Sequence, residues 1–303
     1  MGIGESAPTQ RLTVTDGSIL QKNTAINPTT LGGTDLAQGA SVVIPLGKYS
    51  YEGSPAVAGT CNATTPTGCE FRIYDINNPS SPTFVGGVDT ADHISAIAVN
   101  GRYAYLLADA ALYIYDISNP SVPTSVASIS SASTNPNSNG IAIVGKYLYY
   151  LTDNNAGTCS TTTATGCEFR IYDIYNPASP IFVGGFNLGI SADSLHISGK
   201  YAYVGNDFIA GTCSGATQTG CELHIFDISN PANITGVGGV SQDSSVWAVH
   251  LSGKYLYVGQ TGGTNEFSIY DVSNPASPAT VSQTTIAGNP TGVSIIGKYA
   301  YVS

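Results

Sequence analysis

The sequence predicts an all-β fold assembled from repeated units, and three observations point to it. Only 10% of the 303 residues are charged, while 35 glycines, 16 prolines and 19 tyrosines favour short strands joined by many turns. A Gly-Lys/Arg-Tyr-x-Tyr string recurs along the chain, beginning at Gly47, Gly101, Gly145, Gly199, Gly253 and Gly297. The first five copies are each followed by an Asp-x-x-Asn-Pro string: Asp75–Pro79, Asp116–Pro120, Asp173–Pro177, Asp227–Pro231 and Asp271–Pro275.

Each repeat divides into four strand-like segments. In residues 192–244 these are SLHIS, YAYVGN, ELHIFDIS and TGVGGV, bounded by Gly, Asn, Asp or Pro and showing two-residue alternation. Four antiparallel strands in a unit of about 40–45 residues are typical of a propeller blade. We therefore predict a β-propeller over residues 41–303, with six blades in units 41–92, 93–137, 138–191, 192–244, 245–289 and a partial 290–303.

Strings such as GKYAYVGN…LHIFDISNPANITGVGG and GRYAYLLADAALYIYDISNPSVPTSVAS resemble the LVIVD-repeat family of β-propellers. The resemblance recurs in every unit across about residues 41–303. It implies an extracellular scaffold rather than a particular catalytic class. The N-terminal GIGESAPTQRLTVTDGSIL is instead similar to the GIG-x-x-x-P-x-x-x-L-x-V-x-G element of phage tail-fibre stalks and large bacterial surface proteins. That similarity implies that the chain is a piece of a longer surface polypeptide.

The last unit reaches only two strands by Ser303, which leaves an unpaired strand edge, a hazard that natural sheets avoid. Within the N-terminal segment, residues 1–40, the stretches 11–15 and 18–21 flank Asp16-Gly17, a dipeptide that favours a tight hairpin. We predict that these two strands complete the sixth blade. The alternative is a larger ring of which this chain holds a part.

The cysteines fall in three copies of one loop, each joining the second and third strands of a unit. The identical spacing predicts the pairs Cys61–Cys69, Cys159–Cys167 and Cys213–Cys221. The C-x7-C spacing and the absence of histidine within these loops disfavour zinc. Persisting disulfides indicate an oxidising compartment, so we expect the protein outside the cell or on its surface. Because all three loops project from one face of the disc, they are candidates for recognition, although duplication alone also explains them.

Residues that recur in every unit are better explained by folding than by a site. The five Asp of the Asp-x-x-Asn-Pro turns and the paired tyrosines are therefore interpreted as structural. Function is expected where units differ: His196 and His250 occupy equivalent positions near the axis on adjacent blades, and Asp193 and Trp247 occupy another pair. These four could line an axial pocket for an anionic ligand, or for a metal held weakly by His196 and His250. The other interpretation is that the histidines fill space between blades.

Composition and motifs narrow the function classes. The formal charge of −10 repels a nucleic-acid backbone, so we expect no nucleic-acid partner. No apolar run is long enough to insert in a membrane. No nucleophile–base pattern, sialidase box or cofactor motif is present, so we expect no cofactor and no catalysis. The predicted function is an extracellular interaction or adhesion module that recognises protein or glycan through the stapled loops. The alternatives are a structural spacer or self-associating filament subunit, and a propeller enzyme acting on polysaccharide.

Overall fold

A computed structural model describes residues 39–62, 64–109, 111–130, 140–154 and 156–303. The strands predicted at 11–15 and 18–21, and nearly all of the N-terminal segment, lie outside the described residues. The closure of the last blade by that segment therefore stays a prediction.

The described part of the chain is all-β, and it contains 22 strands and no helix. In order they are β1 (Val42–Leu46), β2 (Tyr49–Gly53), β3 (Phe71–Asp75), β4 (Thr83–Val88), β5 (Ile94–Asn100), β6 (Tyr103–Ala108), β7 (Ala111–Asp116), β8 (Thr124–Ser130), β9 (Ile141–Val144), β10 (Tyr147–Leu151), β11 (Phe169–Asp173), β12 (Ile181–Phe186), β13 (Ala192–Ser198), β14 (Tyr201–Asn206), β15 (Leu223–Asp227), β16 (Thr235–Val240), β17 (Val246–Ser252), β18 (Tyr255–Gln260), β19 (Phe267–Asp271), β20 (Ala279–Thr284), β21 (Val293–Ile296) and β22 (Tyr299–Val302). No helix long and apolar enough to cross a bilayer occurs among the residues described.

The strands form five four-stranded sheets and one two-stranded sheet, each antiparallel and each in chain order. This confirms the predicted fold of repeated four-stranded blades. The first strand of each blade contacts the first strand of the next, in the series β1, β5, β9, β13, β17 and β21. These contacts place the first strands around a common axis, as a β-propeller requires.

Apolar clusters fill the spaces between successive blades. Between blades three and four, for example, Tyr149 and Leu151 pack against Ala202 and Val204. Equivalent clusters lie between blades one and two, two and three, and four and five. Because side chains alternate along a strand, each blade contributes one face to the core before it and the other face to the core after it.

The disc has two distinct ends. At the turn end, which carries the Gly-Lys/Arg-Tyr and Asn-Pro turns, the Ile76 N–H donates to the Lys48 carbonyl at 2.8 Å, and the other four complete blades repeat this bond. The turn glycines have φ between 58° and 62°, a left-handed conformation that glycine adopts without strain. At the opposite, stapled end lie the three disulfide loops and the connections from each fourth strand to the next blade.

The outer strands show where one blade meets the next. A side chain added at Gly86, Gly184 or Gly238 would collide with the carbonyl of Pro120, Pro231 or Pro275, each in the Asn-Pro turn of the following blade. In contrast, every residue of β20 is exposed, because no such turn follows blade five among the described residues. Every residue of β22 is exposed as well.

Candidate functional site

Three disulfide-stapled loops stand at one end of the molecule. The structure shows the within-loop pairs that the spacing predicts, Cys61–Cys69, Cys159–Cys167 and Cys213–Cys221, with Cα–Cα distances of 4.8, 4.8 and 4.4 Å. The loops join β2 to β3, β10 to β11 and β14 to β15. All six cysteines are therefore consumed in short local bridges, which indicates an oxidising environment.

A buried glutamate follows the second cysteine of each loop and ties two connections together. The Glu70 carboxylate accepts the N–H groups of Val57, in the same loop, and of Thr90, in the connection to the next blade, at 3.0 and 2.8 Å. Glu222 accepts those of Ile209 and Gln242 at 3.1 and 2.5 Å. Glu168 is fully buried in the same way and accepts the N–H of Leu188 at 2.7 Å. These three glutamates, each just before the third strand of its blade, thus serve as hydrogen-bond acceptors for backbone N–H groups.

In each of the three blades with a stapled loop, the second residue of the third strand anchors the loop from beneath. The Arg72 guanidinium donates to the Pro66 carbonyl at 3.4 Å, and that of Arg170 donates to the Cys167 carbonyl at 2.8 Å. In blade four His224 takes this place and bonds the Gln218 side chain at 2.8 Å. Burial lowers the pKa of His224 to about 3, so the ring is neutral at physiological pH. Disulfide, glutamate and anchor together leave each loop little freedom.

The outward surface of the stapled loops is uncharged and rich in hydroxyl groups. No charged residue occurs between the paired cysteines in any of the three loops. The exposed positions are Asn62, Thr64, Thr67, Ser160, Thr161, Thr162, Thr163, Thr165, Ala216, Thr217 and Thr219. Such a surface offers hydrogen-bond donors and acceptors on a rigid frame and no strong electrostatic attraction.

The histidines of adjacent blades meet at the axis. His196 on β13 and His250 on β17 have ring centres 4.9 Å apart, with planes inclined at 58°. Burial, and then the neighbouring His250, lower the pKa of His196 to about 4, and burial lowers the pKa of His250. Both rings are half-buried, and no third ligand joins them, since no group of three His, Cys, Asp or Glu side chains in the described residues could hold a metal.

Asp193 and Trp247 occupy equivalent β-bulges. The pairing of β13 with β14 skips Asp193, and the pairing of β17 with β18 skips Trp247, as that of β5 with β6 skips Ser95. Bulges re-aim side chains, which makes this register position special in the fold. Asp193 lies three residues from His196, about 10 Å along the strand. Asp193 is only 5% exposed, whereas Trp247 is half-buried. A pocket shared by all four residues stays a prediction.

The residues repeated in every blade make structural contacts. Asp227 accepts the Ser229 N–H at 2.9 Å through one carboxylate oxygen and pairs with Lys200 at 2.9 Å through the other. Lys200 also lies 5.0 Å above the Tyr201 ring. Asp116, Asp173 and Asp271 repeat the turn bond and the ion pair with a basic residue of the facing turn, while Asp75 makes the turn bond to Asn77. These contacts account for the five copies without a catalytic role.

Sequence reasoning missed a carboxylate group between blades three and four. Burial, then Asp207, then Asp153 raise the pKa of Asp193 to about 8, and burial raises the pKa of Asp153 to about 6. Asp153 and Asp207 hold the same place after the second strand of their blades, and so does Asp109 in blade two. That recurrence was visible in the sequence, but proximity to Asp193 depends on how the blades pack.

Solved structures share this architecture at low sequence identity. The computationally designed protein Ika8 aligns with a TM-score of 0.56 at 10% identity, covering 86% of this chain and 66% of that one. A protein from Lactobacillus plantarum gives 0.56 at 10% identity, covering 81% and 70%. Sqt1 from Chaetomium thermophilum gives 0.52 at 13% identity, covering 83% and 60%. The chain thus spans just under two thirds of the length of Ika8 and 60% of the length of Sqt1. The similarity concerns the fold alone.

No curated protein matches the sequence. The model of the LVIVD repeat matches seven segments that together make up more than half of the chain: 68–90, 93–130, 164–187, 189–209, 218–241, 243–285 and 287–303. The matches fall on the strands and turns of successive blades, where the repeated contacts described above lie. The chain therefore belongs to the LVIVD repeat family.

Proposed function

We propose that the protein is a non-catalytic extracellular interaction module whose stapled end recognises a protein or glycan at a surface. The observation that carries this proposal is that three similar loops at one end of the disc are each held by a disulfide, a buried glutamate and an anchoring side chain. A preorganised surface loses little conformational entropy on binding, so even an uncharged contact face gives useful affinity. The three disulfides support placement outside the cell.

The chemistry of the loops favours a partner recognised by hydrogen bonding. Exposed threonine hydroxyls can both donate and accept hydrogen bonds, as sugar hydroxyls do. They can therefore bind either a glycan or a polar protein surface. The chain carries a formal charge of −10, but no charged residue lies between the paired cysteines of the three loops, so affinity should depend little on salt.

Three equivalent exposed positions allow a direct test. Arginine substitutions at Thr64, Thr162 and Ala216, third after the first cysteine of each loop, place bulk on the face without touching the core. We expect the full chain to bind a subset of probes on arrays of glycans and surface proteins, and the triple variant to lose that binding. Tyr175→Ala is the matched control, because Tyr175 is 85% exposed in an Asn-Pro turn at the opposite end.

Two results would overturn the proposal. One is full retention of binding by the triple loop variant, and the other is loss of binding in Tyr175→Ala alone. A thermal unfolding curve for each variant checks that the fold is unchanged.

The second candidate function is a self-associating structural unit. It is favoured by the exposed apolar side chains of β20 to β22, where Val281, Ile296, Tyr299 and Tyr301 are 53–64% exposed. The outer edge of β22, which pairs with no strand among the described residues, is also a template for pairing with another strand. Sedimentation of the full chain over a hundredfold range of concentration distinguishes the two functions, because only the structural unit requires assembly.

A further inference from the structure

Four buried acceptor oxygens without a donor belong to residues at the stapled end of the interface between blades three and four. They are both carboxylate oxygens of Asp153, Oδ2 of Asp193 and Oδ1 of Asn206, all of them inaccessible to solvent. The three residues are 6%, 5% and 0% exposed. The Ser191 hydroxyl lies near Asp153, yet neither Asp153 oxygen receives a hydrogen bond of normal geometry. No donor among the described residues therefore satisfies these four oxygens.

The fold directs these side chains toward one another. On β14, Ala202 and Val204 pack against Tyr149 and Leu151 of blade three, and alternation places Asn206 on the same side. Asp153 continues the series of Tyr149 and Leu151 that faces blade four. Asp193 lies in the bulge opposite the end of β14, beside Ala192, which pairs with Asn206. Asp193 interacts electrostatically with Asp207 of its own blade and then with Asp153 across the interface.

The chemistry of these three residues indicates the charge of a ligand that would satisfy them. Asp153 and Asp193 bring two buried carboxylates, and neither pairs with a lysine or arginine in the part of the chain that the structure describes. Buried charges in proteins are paired or coordinate metal ions, because an uncompensated one is strongly destabilising. Asn206 adds a neutral oxygen that is itself fully buried and unsatisfied, which a cation would satisfy and a second anion would not.

We propose that this group binds a calcium ion that bridges blades three and four beneath two of the stapled loops. Only oxygen ligands are present, which disfavours zinc or copper. Ca²⁺ accepts carboxylate, carboxamide and backbone oxygens in flexible geometry, whereas Mg²⁺ demands a near-ideal octahedron and keeps several waters. Two carboxylates make a site of modest affinity, suited to the millimolar range of extracellular modules.

The test is thermal unfolding of the EDTA-treated full chain at pH 7.5 in a Ca²⁺ titration, with Mg²⁺ as the comparison ion. We expect the Tm to rise by about 3–8 °C at 10 mM Ca²⁺, and much less with Mg²⁺. Asp153→Asn and Asp193→Asn should abolish the rise. Both should fold without metal, because each removes a buried charge, and their Tm in EDTA should equal or exceed that of the unsubstituted chain.

Asp243→Asn is the matched control, because Asp243 lies at the same end of the disc but is exposed. It should respond to Ca²⁺ as the unsubstituted chain does, and calorimetric titration should give one ion per chain. An unchanged Tm at 10 mM Ca²⁺ would overturn the proposal and leave a proton shared between the carboxylates as the explanation. An undiminished response in both Asp153→Asn and Asp193→Asn would also overturn it.

Discussion

The imidazole rings of His196 and His250, on adjacent blades, contact each other with their centres 4.9 Å apart and their planes inclined at 58°. Their pKa values are lowered by burial, that of His196 to about 4 from an ordinary 6.5. A pair of this kind makes the stability of the propeller depend on pH.

Acidification should destabilise the fold through this pair. Above pH 6.5 the rings are neutral in both states, and as the pH falls from 6.5 through 4 only the unfolded chain takes up protons readily, so stability is lost. The loss is on the order of 1 kcal/mol, since the rings remain half exposed and are partly screened. The readout is the Tm from pH 8 to 4 of the unsubstituted chain minus that of the double variant His196→Gln, His250→Gln. A pH-independent difference would contradict the prediction.

Removing the carboxylate of Glu222 should loosen two connections at once. Glu222→Ala leaves the part-buried N–H of Ile209 and the buried N–H of Gln242 without their acceptor, which should cost about 2–4 kcal/mol. Glu222→Gln retains one acceptor oxygen and should cost less. Denaturant unfolding gives the stability, and hydrogen exchange at those two amides tests the location. If both amides stay protected in Glu222→Ala, the glutamate is not what holds the connections.

Gly238→Ala should separate blades four and five at their outer edge. The new methyl group would collide with the backbone carbonyl of Pro275, which cannot move without displacing the Asn-Pro turn. We expect a loss of about 1–3 kcal/mol, as in other overpacked sites. Gly39→Ala serves as the control, because nothing lies within 4 Å of a methyl group there. Equal stability of the two variants would show that this contact does not hold the blades together.

The N-terminal strands predicted at 11–15 and 18–21 can be tested through the outer edge of β22, which lacks a partner strand in the part of the chain that the structure describes. If they complete the last blade, deleting residues 1–22 should lower the Tm by several degrees, because β22 loses its partner. Val14→Pro should have a similar effect, since proline removes a ladder hydrogen bond, whereas Ser6→Pro should not. An unchanged Tm in the deletion variant would exclude this closure.

Much of the fold could be predicted from sequence because each blade repeats the same local code. Two-residue alternation sets the strands, glycine with positive φ sets one turn, and Asp227 with its counterparts sets the other. The disulfides followed for the same reason, since Cys213 and Cys221 lie at the two ends of one short loop. These features depend on residues near each other in the chain.

The tertiary structure decided what lies across blade interfaces. That Asp153, Asp193 and Asn206 converge depends on the register of two blades and on a bulge in β13, neither of which leaves a local pattern. Glu222 likewise accepts a hydrogen bond from the backbone N–H of Gln242, 20 residues later, because the chain returns to the stapled end. Local sequence fixes conformation through short-range sterics and hydrogen bonds, whereas the chemistry between blades arises only when distant segments bury their surfaces against each other.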